Sequence, residues 1–281
     1  MAERVITKEA VERFKAYLHK EERSAGTVDN YLRNVRELAA WLVGQAVTKE
    51  QLVAWKDALQ AKNLQPTTIN AKLAAVGCFL RVMGWQDCQV RFLRVQRRVF
   101  RDKEKELTRE EYEKLLAVAH GHGNERLALL LETICATGVR VSEVQYITVE
   151  AARQGRAEVA MKGKIRTILI SNKLCRKLLK YAKKTKTASG KIFLTRNGTA
   201  LSRKQIWTEM KSLCRAAGVS PGKVFPHNLR HLFATVFYRA CHDIVKLADV
   251  LGHSRIETTR IYLVTTGFEY ARQLEQLGLV S

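Results

Sequence analysis

Apolar residues recur at intervals of three and four through the first ninety positions. Val11, Phe14 and Leu18 form one such set behind Thr7, and Val28, Tyr31, Leu32, Val35, Leu38, Ala39 and Leu42 form a second. That spacing places each set on one helical face, so two amphipathic helices are predicted. Thr48 opens a third helix with Leu52, Trp55 and Leu59. Pro66-Thr67 opens a fourth through Ile69, Leu73, Val76, Phe79, Leu80 and Met83, stopping near Gly84. Four helices with one apolar face each predict a small bundle over residues 1–90.

The pattern then breaks. RFLRVQRRVFRDKEK, from Arg91 to Lys105, holds seven cations, two acids and neither Gly nor Pro, and reads as an extended basic connector pinned by Phe92, Val95, Val99 and Phe100. A capping box of Thr108 and Glu111 opens the next helix, and the apolar run Leu127 to Ala136 predicts the centre of a second core. Short β-branched segments follow at 145–149, 157–161 and 165–170, with a tight turn at Lys162-Gly163-Lys164. A further short strand is expected at 192–194, and helices at 172 onward and from Ser202 to the end. The expected fold is mainly α with a small antiparallel β-sheet. It divides into a helical domain at 1–90, a basic linker at 91–106 and a mixed α+β domain at 107–281.

The chain has 281 residues, 46% of them hydrophobic, enough to bury a core in each of two domains. Lys and Arg number 49 against 27 Asp and Glu, a formal charge of +22 that no fold requires and that self-repulsion makes mildly costly. Between Glu158 and Glu209 there is no acid, yet fourteen Lys or Arg occur. Isolated lysines there suit a solvated helix face, but so long an uncompensated run points to a polyanion. No run reaches the length of a membrane span, and the N-terminus lacks the build of a signal peptide, so a cytoplasmic protein is expected. The six cysteines show no C-x-x-C pair and no zinc spacing, and read as reduced thiols.

Three segments gather the polar residues that stand out. In Ala136-Thr-Gly-Val-Arg-Val-Ser-Glu143 a buried helix ends at Gly138 and another is expected to start near Ser142, placing Arg140 beside a helix N-terminus that favours an anion. In His227-Asn-Leu-Arg230-His231 an imidazole and a guanidinium three positions apart share a helical face. The third is Leu251-Gly-His253-Ser, followed by Tyr262. Singly, each has a bland reading as a surface arginine, a helix-capping histidine or a core tyrosine. Together with a lysine at the hairpin turn they supply what phosphodiester transfer needs: fixed cations, a proton donor and acceptor, and an activatable nucleophile.

The order and spacing of ATGVRVSE, MKGK, HNLR and LGHSRIETTRIY resemble the tyrosine recombinase, or phage integrase, family. TVDNYLRNVRELAAWL and TTINAKLAAVGCFLRVMGW are similar to that family's helical core-binding domain, so the likeness spans the chain. Its length suits the short, Xer-like or transposon-type members, without a separate arm-binding domain ahead of residue 1. The resemblance implies that Tyr262 attacks the scissile phosphate to form a 3′-phosphotyrosyl link, with Arg140 and Arg230 on the non-bridging oxygens. It implies His227 as general base, His253 as a phosphate contact and Glu143 as a brace. Lys162 is the favoured general acid, with Lys164, across the same glycine, as the alternative. The family most often has Asp where this chain has Asn228, which leaves the protonation of His227 open.

The resemblance implies double-stranded DNA carrying specific recombination sites as the partner, a homo-tetramer on that DNA, no membrane, no small-molecule substrate, no metal and no cofactor. Both domains are expected to clamp the duplex, with Lys72, Arg94, Arg97, Arg98, Lys164, Arg203 and Lys204 as candidate DNA contacts. A C-terminal helix with Phe268, Ala271, Leu274 and Leu277 on one face is expected to pack either on a neighbouring protomer or on its own domain. Rival readings are a type IB topoisomerase, a catalytically silent DNA-binding relative, and a metal-dependent nuclease, for which the motifs lack clustered carboxylates.

Overall fold

Thr7 and Thr48 start their helices as side-chain caps, their hydroxyls accepting from the backbone N–H of Ala10 and Gln51. The computed structural model describes residues 4–95, 103–161, 164–262 and 275–276. By internal contacts the chain divides into one unit up to Arg97 and another from Arg98. The first unit holds helices α1 (Lys8–Lys20), α2 (Ala25–Leu42), α3 (Lys49–Ala61) and α4 (Pro66–Met83), the last stopped by Gly84 in the left-handed region. The apolar faces read from the sequence meet in one core around Phe14, Leu38, Trp55 and Phe79. Each of these side chains contributes roughly 2–3 kcal/mol by leaving water, and Phe14 meets Phe79 edge-on at 5.4 Å. The first residues of the basic segment belong to this unit. Asn70 donates to the Leu93 carbonyl at 2.9 Å and accepts from the Leu93 N–H at 2.8 Å.

Among the described residues the second unit opens with a 3-10 turn at Lys103–Lys105, and Leu107 is already in its core. The Thr108–Glu111 capping box opens α5 (Arg109–Gly121), and α6 (Glu125–Thr137) runs through the core with Leu127, Leu130, Leu131 and Ile134 fully buried. Residues 145–149, expected as a strand, are not one. Val144–Tyr146 is a 3-10 turn, and Thr148 caps α7 (Val149–Gln154) by accepting from the Ala151 N–H. The β-branched residues there serve as a cap and as core rather than as a ladder. Strands β1 (Arg156–Met161) and β2 (Lys164–Leu169) form the expected antiparallel hairpin, pairing Ala157 with Ile168 and Val159 with Arg166.

After α8 (Asn172–Lys184), the strand expected at 192–194 reduces to two isolated bridges among the described residues, Thr148 to Lys191 and Leu194 to Ala200. Helix α9 (Arg203–Ser212) stops at Leu213 and a short α10 (Cys214–Ala217) follows. Helices α11 (Pro226–Cys241), α12 (Ile244–Leu251) and α13 (Ile256–Arg260) complete the described chain. Phe268, Ala271, Leu274 and Leu277 of the expected C-terminal helix lie outside the described residues. All six cysteines are free; Cys88, Cys175 and Cys214 are buried and Cys241 is exposed. No described helix is long and apolar enough to cross a membrane.

Candidate active site

The site begins where α6 runs out. Gly138 ends the helix at φ 62°, and a Cβ there would fall 2.5 Å from the Phe233 ring, so only glycine lets α6 approach α11 this closely. The next five residues do not start the expected helix. Arg140 and Glu143 close a turn on each other: the Glu143 N–H donates to the Arg140 carbonyl at 2.7 Å, and the Arg140 N–H donates to Glu143 Oε2 at 3.0 Å. Those N–H groups are therefore occupied, and the local positive field comes from guanidiniums instead of a helix terminus. The Arg140 side chain, 40% exposed, also donates from Nη1 to Glu143 Oε1 at 2.8 Å.

Helix α11 carries the second set. His227 is exposed near its start, while Arg230, one turn on, is buried. Arg230 donates through Nη1 to the Gly138 carbonyl, and through Nη2 to the Leu251 carbonyl at 2.8 Å and to His253 Nε2 at 2.9 Å. It thereby ties the end of α6 to the end of α12. Burial, reinforced by Arg140, lowers its pKa, with Tyr262 and Glu143 pulling the other way. An arginine keeps its charge through such a shift.

The third set follows α12. His253 accepts at Nε2 from Arg230 and bonds through Nδ1 to the Thr259 hydroxyl at 2.9 Å. Burial, followed by the charges of Arg230, Arg140 and Arg166, pushes its pKa down to about 4. Tyr262 is buried beside Ala234, Leu247 and Leu251, and its phenol is among the groups that favour the charge on Arg230. Its ring lies 5.9 Å from that of His253 and nearly parallel to it, 5.1 Å from His231 and 6.3 Å from His227.

Arg140, His227, Arg230, His253 and Tyr262 thus come together within one chain. Lys162 lies outside the described residues, as do Arg97 and Arg98. Lys164 opens β2, opposite Met161. Of the DNA-contact candidates, Arg94, Arg203 and Lys204 are exposed, the latter two at the start of α9. Lys72 is engaged inside its own unit, ion-paired with Glu37 and only 15% exposed in its side chain. An exposed Trp207 on α9 carries the Lys211 ammonium 5.1 Å from its ring centre.

Three members of the cluster were not singled out in the sequence. His231 follows Arg230 and was visible only as the end of its box. Thr259, fully buried, stands three residues before Tyr262. Arg166 donates from Nη1 to Glu143 Oε2 at 2.9 Å and from Nη2 to the Val250 carbonyl at 2.8 Å. Burial opposes the charge on Glu143, but the Arg140 backbone and guanidinium and the Arg166 charge outweigh it and hold the carboxylate pKa low.

Three guanidiniums around one carboxylate leave a net positive pocket with a phenol at its wall, the arrangement of a site that binds a phosphodiester and offers it an oxygen nucleophile. Residues 105–266 match the phage integrase family and residues 11–87 its N-terminal SAM-like domain. The chain is 28% identical to tyrosine recombinase XerA of Pyrococcus furiosus, over 100% of this chain and 98% of that protein. It is 30% identical to tyrosine recombinase XerD of Caulobacter vibrioides, over 78% and 77% respectively. Its fold resembles that of the Tn1549 transposon integrase solved with circular intermediate DNA (TM-score 0.74, 18% identity, 95% and 99% coverage). It also resembles a lambda integrase dimer bound to a core site (TM-score 0.73, 16% identity, 91% and 94%). The chain belongs to the phage integrase family, that of the tyrosine recombinases.

Proposed function

We propose that this recombinase is site-specific and cuts duplex DNA by attack of the Tyr262 phenol oxygen on the scissile phosphorus. The new bond is a 3′-phosphotyrosyl ester, and the bond to the 5′-oxygen breaks. His227 takes the phenol proton, and Lys162 gives a proton to the departing 5′-oxygen, with Lys164 as the alternative donor. Arg140 and Arg230 hold the non-bridging oxygens, for which a planar, permanently charged fork is suited. His253 contacts the phosphate and, by accepting from Arg230, fixes the geometry of that guanidinium. Attack of a free 5′-hydroxyl on the phosphotyrosine rejoins DNA, and because that ester conserves the bond energy the chemistry needs no cofactor. Exchange between two recombination sites by a homo-tetramer completes the reading.

The observation that carries it is the meeting of Tyr262 with the Arg230–His253 pair: the phenol ring lies nearly parallel to the His253 ring at 5.9 Å, and Arg230 donates to that same imidazole at 2.9 Å. To test it, a Tyr262→Phe protein is used to select its preferred duplex from a randomised library. The parent protein is then incubated with that duplex nicked just beyond the scissile phosphate. A covalent protein–DNA band that Tyr262→Phe abolishes is expected. Cleavage without a Tyr262-dependent adduct would refute the mechanism, and relaxation of supercoiled DNA lacking the selected site would favour a topoisomerase.

A further inference from the structure

Arg166 stands on β2 opposite Val159, and its side chain turns inward, 10% exposed. Its stem crosses Gly252 so closely that a Cβ there would lie 2.2 Å from Arg166 Cδ. Its Nε is buried with no hydrogen-bond partner among the described residues. Burial is the largest influence on its pKa, which falls to about 10 and leaves it charged at neutral pH. A buried arginine with an unpartnered nitrogen is a poor stabilising device, and an apolar residue of the same volume would serve a purely structural need better.

The distribution of bonds on Glu143 gives it another use. Oε1 accepts from Arg140 Nη1, while Oε2 accepts from Arg166 Nη1 and from the Arg140 backbone N–H. Without Arg166, Oε2 keeps only the Arg140 backbone N–H and can turn toward the same Arg140 guanidinium to form the bidentate pair that arginine and carboxylate prefer. We propose that Arg166 is a positioning residue for strand cleavage: it keeps Glu143 from closing on both arms of Arg140, and it fixes through Val250 the corner that carries His253. The half-exposed Arg140 fork is then left for a phosphate oxygen.

This inference rests on the cleavage reading above, and its test separates the two. Single-turnover cleavage and DNA affinity are measured with the selected nicked duplex for the parent, Arg166→Met, Glu143→Gln/Arg166→Met and Arg166→Lys. Each is also run on a duplex with a neutral methylphosphonate at the scissile position, which removes the charge that Arg140 must meet. Arg166→Met is expected to cleave the phosphodiester roughly 100-fold more slowly, with DNA affinity little changed. The double variant, with no carboxylate to capture Arg140, recovers about tenfold of that loss. On methylphosphonate the gap between Arg166→Met and the parent shrinks to about threefold. An equal defect on both substrates with no recovery in the double variant would overturn the proposal and leave Arg166 a structural residue. If Arg166→Met does not fold, Arg166→Lys, which reaches Glu143 or Val250 but not both, carries the same comparison. A parent protein that gives no Tyr262-dependent adduct overturns the cleavage reading instead.

Discussion

Arg230 donates to His253 Nε2 at 2.9 Å, and this fixes the tautomer of the imidazole. A guanidinium has no acceptor, so Nε2 contributes its lone pair and the ring proton sits on Nδ1, donated to Thr259 Oγ1. The neutral form is the one that burial, and after it three nearby arginines, enforce, with a pKa of about 4. An unfolded chain returns the histidine to about 6.5. Between these values the unfolded state binds the extra proton, so stability rises with pH across the window and is lost as pH falls below about 6.5. Urea unfolding at pH 7 and pH 5 is expected to show a fall of about 1–2 kcal/mol that a His253→Gln variant lacks. An equal fall in both proteins would place the titration elsewhere.

Asn228 is held as a donor. Its amide nitrogen gives one hydrogen bond to the Lys105 carbonyl and one to the Lys223 carbonyl, both at 2.8 Å, and the residue is buried. It thereby fastens the entry to α5 and the loop before α11 to the turn that presents His227. A carboxylate in its place faces two carbonyl oxygens and has no proton to give. Asn228→Asp is therefore expected to cost about 2–3 kcal/mol at pH 7. The new carboxyl is held above its ordinary pKa, so the deficit shrinks as the pH falls and protonation restores one donor. Denaturation midpoints across pH 4 to 8 check both the size and the slope.

Gly252 and Gly84 both have positive φ, at 63° and 77°, but their surroundings differ. Nothing lies within 4 Å of a Cβ at Gly84, so Gly84→Ala should cost only the left-handed strain, about 1 kcal/mol. At Gly252 the added carbon meets Arg166 Cδ and Nε at 2.2 and 2.7 Å. The far end of Arg166 is pinned by Glu143 and Val250 and cannot swing aside. Gly252→Ala is expected to cost about 3 kcal/mol and to slow cleavage as well. Equal melting temperatures for the two variants would contradict the crowding argument.

The bundle was legible because each of its helices has a single apolar stripe, and a stripe at helical spacing has one interpretation. The stretch 145–149 was not, because β-branched residues suit a ladder, a cap or a buried turn equally, and only the partner of the Thr148 hydroxyl decides. Ser212 to Cys214 contains no Gly or Pro, so nothing in the chain marks the end of α9 there. The boxes with Arg140, Arg230, His253 and Tyr262 stood out because rare polar groups recur in a fixed order. Arg166 stayed hidden for a packing reason. In β2 the apolar residues occupy both faces, with Ile165 and Leu169 outward at 79% and 70% exposure and Ile168 inward at 2%. Alternation alone therefore does not tell which face turns in, and a shift of one residue sends Arg166 to solvent.

Lys72 and Arg203 separate two kinds of cation in a chain with a formal charge of +22. Lys72 ties α4 to α2 by pairing with Glu37 and sits within reach of Asn34 Oδ1 at 3.5 Å. Its charge is already met within the protein, so it displaces no counterion when DNA binds. Arg203 is exposed at the start of α9 and has no acidic neighbour in the first turn. On the selected duplex, Arg203→Ala is expected to reduce the slope of log affinity against log salt by about 0.9, the value for one phosphate contact. Lys72→Ala should leave that slope unchanged and lower stability by about 1 kcal/mol. Titrations between 50 and 200 mM salt, about the range in which such contacts change affinity by orders of magnitude, read both quantities. A reduced slope for Lys72→Ala would mean that its pair with Glu37 opens on DNA and that the side chain reaches a phosphate.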